Sequence, residues 1–158
     1  MDTLNILLVD DDRNLATSLS YGLRKAMGEA ISVAVCFSGS EALSMVATQT
    51  FDVVVSDFNM PGPSGLEFLC RIRQEYREII LVLITAYGTD VLKEGADQLG
   101  VGYITKPFEP SFLVQLIKDL VQGEETKGKT ANVSRIMDKL GKPAGSSRGL
   151  LVEGGLNE

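Results

Sequence analysis

The sequence predicts an α/β fold in which a largely parallel, five-stranded sheet carries helices on both faces. Three observations point there. Five short apolar runs rich in Val and Ile, near 4–9, 31–37, 51–56, 79–84 and 101–104, have the unbroken hydrophobicity of strands buried on both sides. Segments of helical periodicity alternate with them, giving the order (βα)₅ and right-handed crossovers. Four of the five runs end at a polar residue: LNILLV at Asp10-Asp11, FDVVVS at Asp57, IILVLI at Thr85 and VGYIT at Lys106; only ISVAVCF ends without one.

The helical stripes follow the strands in turn. After Asp12, whose carboxylate suits an N-cap, Leu15, Leu19, Leu23, Ala26 and Met27 keep helical spacing. Ala42, Leu43, Met45 and Val46 form a second stripe, and Leu66, Phe68, Leu69 and Ile72 a third. Val91, Leu92, Ala96 and Leu99 form a fourth, ended by Gly100. Phe112, Leu113, Leu116, Ile117 and Leu120 make the fifth, with Pro110 suited to its first turn. Residues 1–122 are therefore expected to form one domain, large enough to bury roughly two-thirds of its unfolded surface. Residues 123–158 are rich in Gly, Ser and Lys and read as a linker with a short element. Within it Asn132 suits the cap of a helix carrying Val133, Ile136, Met137 and Leu140, closed by Gly141. This stretch is too short for a winged-helix output domain.

Composition excludes several functions. A formal charge of −6 argues against general nucleic-acid binding, which needs a basic face. No apolar stretch approaches the roughly 20 residues of a membrane span, and no signal peptide precedes the first strand, so a cytoplasmic protein is expected. Cys36 falls in a strand and Cys70 in a helix, where both read as small buried hydrophobes. There is no histidine at all. Ser-His-Asp catalysis, Cys-His catalysis and histidine-ligated zinc are thereby excluded, and any phosphohistidine chemistry must use another molecule's residue.

If the apolar runs are parallel strands, their C-terminal ends lie on one sheet edge. Asp10, Asp11, Asp57, Thr85 and Lys106 then share a crevice. Three carboxylates, a hydroxyl and an ammonium suit a divalent cation and a phosphoryl group. Carboxylates about 4 Å apart repel by about 4 kcal/mol per pair at an effective dielectric of 20, and a cation relieves this.

The segments V-D-D-D, S-D-F-N-M-P-G-P-S-G, L-I-T-A and Y-I-T-K-P-F follow the first, third, fourth and fifth runs in that order. With these the chain resembles the CheY-like receiver domain of bacterial two-component response regulators, over about residues 4 to 122. The resemblance implies a doubly wound, flavodoxin-like sheet of order 2-1-3-4-5, with the site where the order reverses. It implies that Asp57 accepts a phosphoryl group. Mg²⁺ (or Mn²⁺) would be held by Asp11, Asp57 and the backbone carbonyl of Asn59, with Asp10 direct or through water. Lys106 would bridge a phosphoryl oxygen and the acidic pair, and Lys106–Pro107 would be cis. The Thr85 hydroxyl would bond the phosphoryl group, for which Ala86 leaves room. Tyr103 would then turn from an exposed to an inward rotamer, shifting the surface of the fourth helix, fifth strand and fifth helix. Asn59 and Tyr87 stand where family members differ, and Tyr87 is expected to slow hydrolysis by crowding the attacking water.

The partners implied are a sensor histidine kinase or a histidine phosphotransfer protein, with no catalytic turnover beyond slow self-catalysed phosphorylation and loss. A homodimer through the fourth-helix, fifth-strand, fifth-helix face is a further expectation. Output through a binding partner, service as a phosphate shuttle, and membership of a longer regulator all remain open. Two rivals have other chemistry. A haloacid-dehalogenase-type phosphatase would use Asp10 as nucleophile with Asp12 as second acid, but Arg13 and Asn14 do not continue that pattern, and Asp57 would lack a role. A flavin binder would need a Thr/Ser/Gly-rich phosphate loop after the first strand, and none is present.

Overall fold

The computed structural model describes residues 3–126, with side chains to Gly123. Five strands, β1 (Leu4–Val9), β2 (Ile31–Cys36), β3 (Val53–Asp57), β4 (Ile80–Thr85) and β5 (Gly102–Thr105), form one sheet. Its order is β2-β1-β3-β4-β5, parallel throughout. The order runs one way from β1 to β2 and the other way from β1 through β3, so the reversal lies between β1 and β3.

The inner strands are apolar from end to end because helices cover both faces. Every residue of β3 and β4 is buried. The edge strand β2 alternates more, with Ser32 exposed between buried Ile31 and Val33. Helices α1 (Arg13–Met27) and α5 (Pro110–Thr126) pack together, as do α2 (Gly39–Thr48) with α3 (Gly65–Glu75), and α3 with α4 (Asp90–Leu99). Phe68, Leu69 and Ile72 of α3 and Leu113, Leu116 and Ile117 of α5 are fully buried. Each such side chain contributes about 1.5–3 kcal/mol relative to exposure.

Local chemistry sets the helix starts. Asp12 caps α1 by accepting from the Leu15 N–H, as its position predicts. Ser38 caps α2 through Glu41, and Thr89 caps α4 through Leu92. Ser64 and Glu67 close a reciprocal capping box on α3. Gly100 ends α4 in the left-handed conformation at φ 70°. A short 3₁₀ turn, Gly28–Ala30, which the periodicity did not announce, joins α1 to β2.

Several boundaries differ from expectation. Phe37 extends the apolar run of β2 but leaves the ladder, and its ring instead receives the Arg13 guanidinium at 4.0 Å. Phe51 is buried yet precedes β3. The fifth helix runs on to Thr126, beyond the boundary expected at residue 122, because Gly123 within a helix costs only about 1 kcal/mol relative to alanine. The element expected at 132–140 lies outside the described residues.

One tertiary tie has no periodic signature. The Arg73 guanidinium donates to the carbonyls of Leu99, Gly100, Arg77 and Ile79, joining α3 to the end of α4 and the start of β4. Cys36 is fully buried and its thiol is pushed up to about 12, first by burial and then by the Glu41 charge, so it stays protonated and unreactive at neutral pH. No described helix is long and apolar enough to cross a membrane.

Candidate phosphoacceptor site

Register builds the site. Val9 pairs with Ser56, so the next residues, Asp10 and Asp57, lie side by side at the switch point. Asp57 pairs with Ile84, and Thr85 pairs with Thr105, which brings Thr85 and Lys106 to the same edge. The backbone continues this knitting past the strands, since Lys106 N–H donates to the Thr85 carbonyl and Phe58 N–H to that of Ile84. The Lys106–Pro107 peptide is cis.

Asp57 is buried and its two oxygens have separate partners. Oδ1 lies 2.7 Å from Lys106 Nζ, and Oδ2 accepts the Asn59 N–H at 3.1 Å. A buried carboxylate without partners would cost several kcal/mol. Asp10 is half-buried and Asp11 is exposed. Asp10 Oδ1 accepts the Asp12 N–H at 2.9 Å. Burial raises the Asp10 pKa, the Asp12 N–H opposes that, the Asp57 charge raises it, Lys106 lowers it, and the Asp11 charge raises it again.

One carboxylate oxygen from each of Asp10, Asp11 and Asp57 falls within 4.8 Å of the others. In a magnesium octahedron adjacent ligands are about 2.9 Å and opposite ones about 4.2 Å apart, so the carboxylates would draw together around an ion. The donors are all hard oxygens, and their mutual repulsion is felt in the raised Asp10. The cluster therefore fits a divalent cation held by Asp10, Asp11 and Asp57.

The remaining expected residues fall into two groups. Thr85 is buried at the crevice, and its hydroxyl accepts the Tyr87 N–H at 3.1 Å. Tyr87 belongs to the rim, with its side chain in solvent at 75% exposure. Asn59 is exposed beside Asp57. Tyr103 is inward at 7% exposure. Burial pushes its phenol above the ordinary value; the Thr89 backbone partly offsets this and the Asp90 charge adds to it. Among the described residues no partner reaches its hydroxyl in hydrogen-bond geometry.

Gly65 has a role that the motif alone did not reveal. Its N–H donates to the Phe58 carbonyl, and a Cβ there would collide with the Asp57 carbonyl oxygen and would stand 2.8 Å from Phe58 Cα. The neighbours are backbone, which cannot swing aside. Absence of a side chain is what lets α3 sit directly on the residue after Asp57. The visible signal is a glycine at the first turn of a helix that a better helix former would start.

Gly65→Ala is expected to destabilise the fold by roughly 1–3 kcal/mol, since overpacking against fixed backbone outweighs the gain in helix propensity of about 1 kcal/mol. Urea unfolding checks this; an unchanged midpoint with an unchanged slope would contradict the close approach.

Comparison with known proteins agrees with this geometry. Residues 6–118 match the family model described as the response regulator receiver domain. The chain is 39% identical over 113 residues to the response regulator protein FleR of Pseudomonas aeruginosa, covering 71% of this chain and 23% of that protein. It is 36% identical over 132 residues to the DNA-binding response regulator MtrA of Mycolicibacterium smegmatis, covering 79% of this chain and 54% of that one. Among solved structures, response regulator DrrB of Thermotoga maritima aligns with a TM-score of 0.69 at 28% identity, over 78% of this chain and 54% of that chain. Chemotaxis response regulator CheY4 of Vibrio cholerae aligns at 0.66 and 28%, over 74% and 98%. The chain thus spans about half, or less, of the curated relatives it matches. Five parallel strands in this order, the acidic cluster at their ends and the match over residues 6–118 place the chain in the response regulator receiver domain family of two-component systems.

Proposed function

We propose that Asp57 accepts a phosphoryl group from the phosphohistidine of a partner histidine kinase or phosphotransfer protein. The observation that carries this reading is the buried Asp57 carboxylate, held by Lys106 on one oxygen and the Asn59 N–H on the other. An Asp57 oxygen attacks phosphorus; the P–N bond of the donor breaks and its electron pair stays on the imidazole. Lys106, a point charge already at the acceptor, passes to a phosphoryl oxygen as the acceptor's own charge is spent. Thr85 has used a lone pair on Tyr87 N–H and keeps its O–H proton to donate to another phosphoryl oxygen. A divalent cation at Asp10, Asp11, Asp57 and the Asn59 carbonyl would supply neutralising charge for the donor's phosphate oxygens.

The chain's own part is acceptance and switching rather than turnover. Phosphorylation adds about −1.5 to −2 charges in the crevice. Transmission to the α4-β5-α5 surface would run through Thr85 and the Tyr103 ring, and moving such a surface from about 1:99 to 99:1 takes about 5.5 kcal/mol of differential stabilisation. That surface would then meet an output partner or a second copy of the chain. No direct nucleic-acid contact is proposed for this acidic domain. Coverage of the relatives favours a further reading, in which the receiver serves a longer regulator and residues 123–158 link it onward.

Radiolabelled acetyl phosphate with Mg²⁺ should label the wild type and Asp10→Asn, the latter more slowly, and should leave Asp57→Asn unlabelled. Labelling lost in Asp10→Asn but retained in Asp57→Asn would replace this reading with a phosphatase using Asp10. In the same assay Tyr87→Ala should lose its phosphoryl group several-fold faster. An unchanged decay rate would remove Tyr87 from the control of lifetime.

A further inference from the structure

Tyr103 is inward, and the space that admits it lies across from its hydroxyl. A Cβ at Gly88 would stand 2.6 Å from Tyr103 Oη and 2.6 Å from Thr105 Cγ2, but 3.5 Å from Tyr103 Cζ. The first two separations are shorter than a Cβ keeps from any non-bonded heavy atom, whereas the third is ordinary contact. Gly88 is exposed, and it is not among the glycines with positive φ, which are Gly28, Gly62 and Gly100. Its backbone therefore admits any L residue. The turn does not require glycine; the Tyr103 hydroxyl does.

The surroundings say what must yield if position 88 grows. Residues 86–90 are all exposed, so little burial holds this loop. It is pinned locally, by Tyr87 N–H on Thr85 and by the Thr89 cap on Leu92 N–H. Both crowded atoms are ends of side chains rather than backbone. The Thr105 methyl escapes by turning about one bond. The Tyr103 ring cannot retreat inward, where it is already enclosed, and its hydroxyl has only the nearby Thr89 backbone, outside strict hydrogen-bond geometry, to hold it.

We propose that Gly88 is the positioning residue that admits Tyr103 to its inward seat, and that the size of the side chain at 88 sets how far the inward state is populated before phosphorylation. This rests on the reading of Tyr103 as the switch residue and deepens it. On this reading the aromatic half of the switch is limited by van der Waals space beside the loop, whatever phosphorylation adds.

The test is hydroxyl-radical footprinting of the whole unphosphorylated protein, read by mass spectrometry at position 103, with the half-buried Tyr76 as internal reference. Gly88→Ala should raise labelling at position 103 several-fold and leave Tyr76 unchanged. Adding Tyr103→Phe to Gly88→Ala removes the crowded oxygen, so labelling at position 103 should fall back to that of Tyr103→Phe alone. Unchanged labelling in Gly88→Ala overturns the proposal. So does a rise that persists in the double variant, or one shared by Tyr76, since the effect would then be disruption rather than a seat. No phosphoryl donor enters this measurement, so its failure is distinct from a failure of Asp57 to accept.

Discussion

The Asp57–Lys106 ion pair is the interaction around which the rest of the site is arranged. It needs parallel strands in one register, because the two residues come from different strands and meet only where β3, β4 and β5 end together. It needs the loop after β5 to run back toward β4, where Lys106 N–H reaches the Thr85 carbonyl. It also needs α3 to start close against Asp57, which Gly65 permits. A buried pair of this kind is seldom a net source of stability, because desolvation costs about what the attraction returns. Its place at a sheet edge is better explained by chemistry than by stability, since it keeps an ammonium directly beside the Asp57 carboxylate.

The acidic neighbours act in the opposite sense. Asp10 and Asp11 bring negative charge toward Asp57, and the raised Asp10 pKa records the tension together with burial. One lysine cannot balance three carboxylates. A hard divalent cation held by Asp10, Asp11 and Asp57 would offset that excess of negative charge.

Much of this was readable in advance because strands buried on both faces give unbroken apolar runs, and the polar residue that stops each run lies at its end. Thus Asp57, Thr85 and Lys106 could be placed on one edge before any coordinate was known. The run ends themselves were less exact: Phe37 and Phe51 are apolar for packing reasons and lie outside the ladders. Relations carried by a single tertiary distance left no pattern. Arg73 binds four carbonyls from outside any periodicity, and Gly65 and Gly88 matter for the atoms that a Cβ would meet. The Tyr103 rotamer belongs with them, since sequence names the ring but not where it points.

The most direct test of the account is to locate the phosphoryl group chemically. The protein would be treated with acetyl phosphate and Mg²⁺, the acyl phosphate reduced with borohydride, and the modified residue mapped by tandem mass spectrometry. The account predicts conversion at Asp57 alone, abolished when Mg²⁺ is chelated. Conversion at Asp10 or Asp11, or none under conditions that leave the fold intact, would contradict it.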